Sequence, residues 1–344
     1  TIPLQRKDKV FPICAHKGTF ISPLDGLKAQ LGDRISYAQG YMAGRPMYGY
    51  ADEIPQNVMD SLRNDAVDKA RQADMVIFIG GLNKNHYQDC EGGDRLSYAL
   101  PFGQEQLIKE LYQANKNMVA VIVSGNAVAM PWINEVPAVV QSWYLGTVGG
   151  QALADVLVGK VNPSGKLPFS YPVKLEDCPA HFYGEMSYPG DSIREEYKED
   201  ILVGYRWYDT KKIKPLFPFG YGIGYTTYQY SKPVLSAKTM RAGETLSVSV
   251  KIRNTGKMAG KETVQMYIGD EKCTVLRPEK ELKGFQKVEL QPGEEKEVVF
   301  TIHPEDLQFF DDKKHTWTVE PGKFKVYVSA SSADEHHTAE FEYL

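Results

Sequence analysis

Up to about Tyr171 the β-rich runs of this 344-residue chain are nearly continuous in apolar residues, and after about Lys232 they alternate strictly with polar ones. A strand covered on both faces reads as an unbroken apolar run, whereas a strand with one wet face reads with period two. The two regions therefore demand different sheets: parallel α/β structure first, an antiparallel β-sandwich last. At roughly 150 residues per domain the length has room for both.

In the first region Val10–Cys14, Met75–Gly81, Met118–Ser124 and Ala138–Trp143 read as buried strands. The last three are spaced widely enough for a crossover helix in each gap. Val58, Leu62, Ala66 and Ala70 fall four apart, and Leu107, Ile108 and Leu111 follow Gln104 at helical spacing, so both segments read as amphipathic helices. Pro101 and Gly103 mark the loop that ends where the second helix begins.

From about Pro172 to Thr226 the composition turns to Tyr, Pro, Gly and Asp without sustained periodicity. So many aromatic residues do not suit a flexible linker, and an ordered connection that packs across the domains or lines a cleft is expected. In the last third Leu246, Val248, Val250 and Ile252 alternate with Ser247, Ser249, Lys251 and Arg253. Further alternating runs at Glu262–Ile268, Glu297–Ile302 and Phe324–Val328 are separated by turn signals such as Asn254-Thr255-Gly256 and Glu320-Pro321-Gly322.

With 40 Lys plus Arg against 44 Asp plus Glu, the net charge of -4 argues against a nucleic-acid binder. The strongest apolar run, Met118–Val123, is far short of the roughly 18 residues that span a bilayer, so a soluble protein without a membrane span is expected. Thr1-Ile2-Pro3-Leu4 shows no basic and apolar leader and reads as the start of a processed or excised piece. The four cysteines and seven histidines lack metal-ligand spacing, so neither a metal nor another cofactor is expected. Gly159–Lys166 is one residue too long for a phosphate loop and Leu167 stands where Ser or Thr is required, which also counts against a flavodoxin-like receptor.

The stretch most able to carry chemistry is Asp89-Cys90-Glu91-Gly92-Gly93-Asp94-Arg95, on the loop after the Met75–Gly81 strand. Ligand sites in open α/β sheets form at the carboxyl ends of strands. Three acids and an Arg around two glycines can present a carboxyl group to a cleft. By composition alone the plainer reading comes first: a solvated loop that Asp94 and Arg95 cap or brace. Trp143-Tyr144, Trp207-Tyr208 and the Phe217–Tyr225 run offer faces that stack on sugar rings, but for any single one of them a core role is the favoured reading.

Several of these runs together resemble the C-terminal portion of glycoside hydrolase family 3, of the β-glucosidase and β-xylosidase type. Ser22-Pro23-Leu24-Asp25-Gly26-Leu27-Lys28-Ala29 is similar to the opening helix of that family's α/β sandwich domain, and Glu91-Gly92-Gly93-Asp94-Arg95 with Leu100-Pro101 and Gln104 to its acid/base loop. The most specific match is Trp143-Tyr144 with Gly149–Leu157 and Asn162-Pro163-Ser164-Gly165-Lys166-Leu167-Pro168. Val203–Tyr208 leading to Phe217–Gly222 is nearly as distinctive, and Gly284-Phe285 with Pro292-Gly293-Glu294 marks a fibronectin type III-like domain.

The resemblance implies an α/β sandwich over residues 1–171, an ordered connection over 172–231 and a fibronectin type III-like β-sandwich over 232–344. It implies that Glu91 is the general acid/base, its pKa raised by burial against the sugar, with Asp89 as the rival, and that Asp94 and Arg95 brace the loop. Trp143 and Tyr144 become candidate cleft aromatics. The family's Asp nucleophile sits in a (β/α)8 barrel beside a Trp, and no Asp-Trp pair occurs here. The chain then looks like two thirds of a retaining β-glycosidase, inactive alone, with an N-terminal barrel and a β-linked oligosaccharide as partners and a periplasmic or secreted location. The rival from another class is a stand-alone carbohydrate-binding or scaffold module.

Overall fold

A computed structural model describes residues 20–43, 54–83, 88–89, 95–334 and 337–344. The expected first strand, Val10–Cys14, lies outside them. The chain divides into two compact units between Val161 and Asn162.

The first unit contains helices α1 (Pro23–Leu31) and α2 (Gln56–Gln72), strand β1 (Val76–Gly81), helix α3 (Gln104–Ala114), strands β2 (Met118–Val123) and β3 (Ala138–Gln141), and helix α4 (Gly149–Leu157). The three strands form a parallel sheet in the order β1-β2-β3. Val76 is level with Met118 and Val119 with Ala138. Helix α3 buries Gln104, Leu107, Ile108 and Leu111, as the spacing predicts; on α2, Ala66 and Ala70 are buried as expected together with Val67, whereas Val58 and Leu62 are only half-buried. Gln104 is fully buried, and its carboxamide accepts from the Gly81 N–H at 2.7 Å and donates to the Gly81 carbonyl at 2.8 Å. It thereby fixes the last residue of β1, from which the site loop departs.

Helix α1 starts where Ser22 caps it, accepting from the Asp25 N–H at 3.1 Å, with Pro23 at the first helical position. It packs on α4 through two glycines. A Cβ on Gly26 would overlap the Gly150 carbonyl, and one on Gly150 would overlap that of Ser22. Because the obstructing atoms are backbone, Gly26→Ala or Gly150→Ala is expected to destabilise this unit by about 1–3 kcal/mol or more. Urea unfolding followed at 222 nm, where the longer helices of this unit contribute, checks it; an unchanged midpoint would mean that the two helices separate freely.

The second unit begins with a stretch containing two short helices, α5 (Pro179–Phe182) and α6 (Tyr205–Lys211). Its strands are β4 (Tyr228–Tyr230), β5 (Val234–Leu235), β6 (Thr239–Met240), β7 (Leu246–Asn254), β8 (Gly260–Asp270), β9 (Glu281–Leu290) and β10 (Glu295–Ile302). After the one-turn helix α7 (Pro304–Leu307) come the β11 (Phe309–Asp311) and β12 (Thr316–Thr318) hairpin, then β13 (Gly322–Ser329) and β14 (Thr338–Tyr343). One sheet runs β10-β7-β4 with β5 also paired to β7, and the other β6-β14-β13-β8-β9. Between them lies a core that includes Val248, Val250, Met266, Phe300, Phe324 and Phe341.

Strand β7 keeps the expected alternation, with Leu246, Val248, Val250 and Ile252 all buried. Strand β8 departs from it. Residues Val264–Ile268 are buried without a break because the 162–231 stretch covers the face that alternation would leave to water. There Gln265 donates to the Gly220 carbonyl at 3.2 Å, and the Tyr205 ring meets Tyr267 edge-on. Glu262 accepts from Lys166 Nζ at 3.0 Å and from the Tyr230 hydroxyl at 2.9 Å, its side chain only 7% exposed. Trp207 is fully buried against Phe182 and Tyr183, and its indole N–H donates to the Asp177 carbonyl at 3.1 Å. Helix α6 is tied to the start of β9, where Asp209 pairs with the buried Lys280 at 3.0 Å and the Tyr205 hydroxyl accepts from the Leu282 N–H.

Candidate active site

All three parallel strands end on the same side, and the loops that leave them meet at one carboxylate. From the β1 loop comes Asp89, whose own N–H donates to the Asn83 carbonyl at 3.1 Å. The β2 loop, Ser124-Gly125-Asn126, supplies the Gly125 N–H at 2.6 Å from Asp89 Oδ2 and Asn126 Nδ2 at 3.0 Å from Oδ1. Beyond β3, the Tyr144 hydroxyl donates to Oδ2 at 2.7 Å. Burial and then the Asp89 carboxylate push the Tyr144 phenol well above its ordinary pKa, so it remains a donor at neutral pH.

Local structure accounts for this convergence. A Cβ on Gly125 would sit 2.9 Å from Asp89 Oδ2 and 3.1 Å from the Tyr144 ring, so only glycine lets the backbone N–H reach the carboxylate. Gln141, the last residue of β3, donates to the Ser124 carbonyl and hydroxyl at 3.1 and 3.0 Å and steadies the β2 loop. Trp143 holds a left-handed backbone, φ 56°, immediately before Tyr144. A bulky residue there is strained, and such strain gathers where a side chain must be aimed.

Arg95 reaches the same β2 loop from the far end of the glycine-rich stretch. Its Nη2 donates to Asn126 Oδ1 at 2.8 Å and to the Ala127 carbonyl at 2.7 Å. Glu91 and Asp94 lie outside the described residues. Of the sequence-predicted site residues, Asp89, Arg95 and Tyr144 therefore share one network, and Trp143 is half-buried next to it. Gly125 and Asn126 were not singled out by sequence. Their position directly after a continuous apolar strand is the signal that points to them, since ligand sites gather at carboxyl ends. Among the described residues no group of three His, Cys, Asp or Glu is placed to hold a metal, and no helix is long and apolar enough to cross a membrane.

The fold is thus a parallel α/β unit followed by a β-sandwich, with three strand-end loops meeting at the Asp89 carboxylate, where open α/β sheets place their ligand sites. The family profile described as glycosyl hydrolase family 3 C-terminal domain matches residues 9–225, and a fibronectin type III-like domain profile matches 262–332. This chain belongs to glycoside hydrolase family 3. It is 72% identical over 324 residues to beta-glucosidase BoGH3A of Bacteroides ovatus, covering 94% of this chain and 43% of that protein. Thermostable beta-glucosidase B of Acetivibrio thermocellus is 41% identical over 310 residues, covering 90% and 39%. The crystal structure of a Bifidobacterium adolescentis GH3 beta-glucosidase superposes with a TM-score of 0.83 at 35% identity, covering 95% of this chain and 46% of its own. The chain spans under half the length of these relatives, less than the two thirds that the resemblance suggests.

Proposed function

We propose that this chain is the C-terminal part of a retaining β-glycosidase acting on β-linked glucosides, and that it supplies Glu91 as general acid/base to a site whose Asp nucleophile belongs to a barrel domain outside it. The observation that supports this reading is the convergence of three strand-end loops on Asp89, two residues before Glu91, in a family whose relatives here are named beta-glucosidases. The hydrogen bonds of Asp89 speak against its being the acid. An acid must hand a proton to the departing oxygen, and the Asp89 oxygens already accept from three donors of the protein.

In this mechanism two carboxyl groups stand about 5–5.5 Å apart across the scissile bond. The barrel's Asp attacks the anomeric carbon while Glu91 gives its proton to the leaving oxygen, and the positive charge that builds on the ring collapses into a glycosyl-enzyme ester. Glu91, now a carboxylate, takes a proton from water as the water's oxygen attacks the same carbon, releasing the nucleophile and restoring the acid. The family resemblance also suggests a periplasmic or secreted enzyme, which fractionation of the source cells checks.

The chain alone is expected to give no turnover of a chromogenic aryl β-glucoside at micromolar concentration, and the full-length gene product to turn it over readily. Activity of the chain that survives repurification would reveal a nucleophile within these residues. A full-length product without activity that still binds a β-glucan would favour the binding-module reading.

A further inference from the structure

We propose that the β11–β12 hairpin is a carbohydrate-binding platform, on which the rings of Phe310 and Trp317 take the flat faces of an uncharged β-linked glucan chain. The platform stands on the hairpin's own geometry, and the choice of a β-glucan rests on the substrate class proposed above. Phe309 and Phe310 are consecutive in β11 and so point to opposite faces of it. Phe309 turns inward, half-buried, its ring centroid 5.9 Å from the Arg277 guanidinium. Phe310 turns out, 50% exposed, and directly across the ladder stands Trp317, 63% exposed. Their rings meet edge to face, centroids 5.6 Å apart and planes at 72°. Neither ring belongs to the core between the two sheets, and the hairpin forms a two-stranded sheet of its own. The fold thus leaves both rings in water without needing them for packing.

A corner of two aromatic planes selects its ligand. An aromatic face carries partial negative charge and draws C–H groups. β-Linked glucose presents C–H groups on both faces of each ring and keeps its hydroxyls around the equator, and its chains extend as flat ribbons. An α-linked glucan coils, so its successive rings do not lie flat. The rim of the platform agrees with an uncharged, hydroxyl-bearing ligand. Asp311 Oδ1 accepts from the Lys313 and Lys314 N–H groups at 3.0 and 3.1 Å, and Oδ2 pairs with Lys314 Nζ at 2.9 Å, which closes the turn. Asp312 and Lys313 remain exposed at the tip with opposite charges. Such a rim draws neither a polyanion nor a polycation, and it supplies an acceptor and a donor to hydroxyls. With ladder and turn already formed, little further ordering opposes binding.

The test is electrophoresis of this chain through native gels containing hydroxyethyl cellulose, a soluble β-linked glucan, or pullulan, an α-linked one. Retardation by the first and not by the second is expected. Phe310→Ala and Trp317→Ala should each weaken binding about 10-fold or more, as for aromatic anchors that a ligand buries, while Trp317→Tyr keeps most of it. Melting temperatures should match the wild type, since the rings lie outside the core. Should Trp317→Ala fold poorly, Phe310→Ala beside Trp317→Tyr carries the comparison. A wild-type chain that runs unretarded, equal retardation by pullulan, or alanine variants that bind like the wild type overturns the proposal. So does a concentration-dependent dimer in sedimentation that Trp317→Ala abolishes, which would make a second copy the occupant. The substrate class is tested separately, as turnover of a chromogenic β-glucoside by the full-length enzyme. Turnover without retardation of the chain overturns the platform alone, and retardation without turnover upholds the platform and overturns the substrate reading alone.

Discussion

Replacing Glu91 by Ala in the full-length enzyme is expected to cut activity on cellobiose by about 10²- to 10⁴-fold, the usual worth of general acid–base assistance. Glycosides whose leaving groups are good enough to depart as anions need no proton, so their kcat/KM should barely change. Their kcat should still fall, because hydrolysis of the glycosyl-enzyme loses its base. Added azide should raise that kcat and yield a glycosyl azide, since an anion attacks without deprotonation. Steady-state kinetics on the two substrate types, with product analysis, decides the matter. Wild-type behaviour of Glu91→Ala on cellobiose beside a crippled Asp89→Ala would transfer the acid role to Asp89.

The second large effect concerns stability. Lys166→Met removes the ammonium that Glu262 faces at 3.0 Å, where the two side chains are only 13% and 7% exposed. Stranding a buried charge costs about 3–5 kcal/mol, whereas deleting both charges of such a pair is often nearly neutral. Lys166→Met is therefore expected to lower the urea midpoint of this chain markedly. Lys166→Met/Glu262→Gln should recover most of the loss, because Gln still accepts from Tyr230 and carries no charge. A single variant within about 1 kcal/mol of the wild type would show that water reaches Glu262, as at an exposed pair.

Much of the first unit is legible in the sequence because its strands are buried on both faces. The apolar runs at Val76–Gly81, Met118–Val123 and Ala138–Gln141 admit few other readings. Gln104 was visible as the first residue of its helix, yet nothing in periodicity shows that it bonds back to Gly81. In β8 the polar residues mislead: Glu262 and Gln265 look like the wet side of an alternating strand, yet they are polar because they bond to the chain that covers them. The site was half legible. The acids and Arg95 stand out by composition, but Asn126 meets Asp89 and Arg95 only once distant loops are folded to one end of the sheet. Such contacts join residues about thirty to fifty-five apart, which no local pattern reports.

Asn162 bears on how such a protein can be inherited in pieces. Its carboxamide donates to the Ala259 carbonyl at 2.9 Å and accepts from the Tyr225 N–H at 2.7 Å, so the first residue after the division between the units is stitched into the sandwich. A gene fusion that acquired only the strands after residue 232 would bring along Glu262 without its lysine and Gln265 without its cover. Recombination that keeps the Asn162-Pro163-Ser164-Gly165-Lys166 run with the sandwich transfers a satisfied body instead. The heritable module thus begins well before Leu246, where the first alternating strand starts, and ancestral crossovers in such genes should cluster ahead of that run.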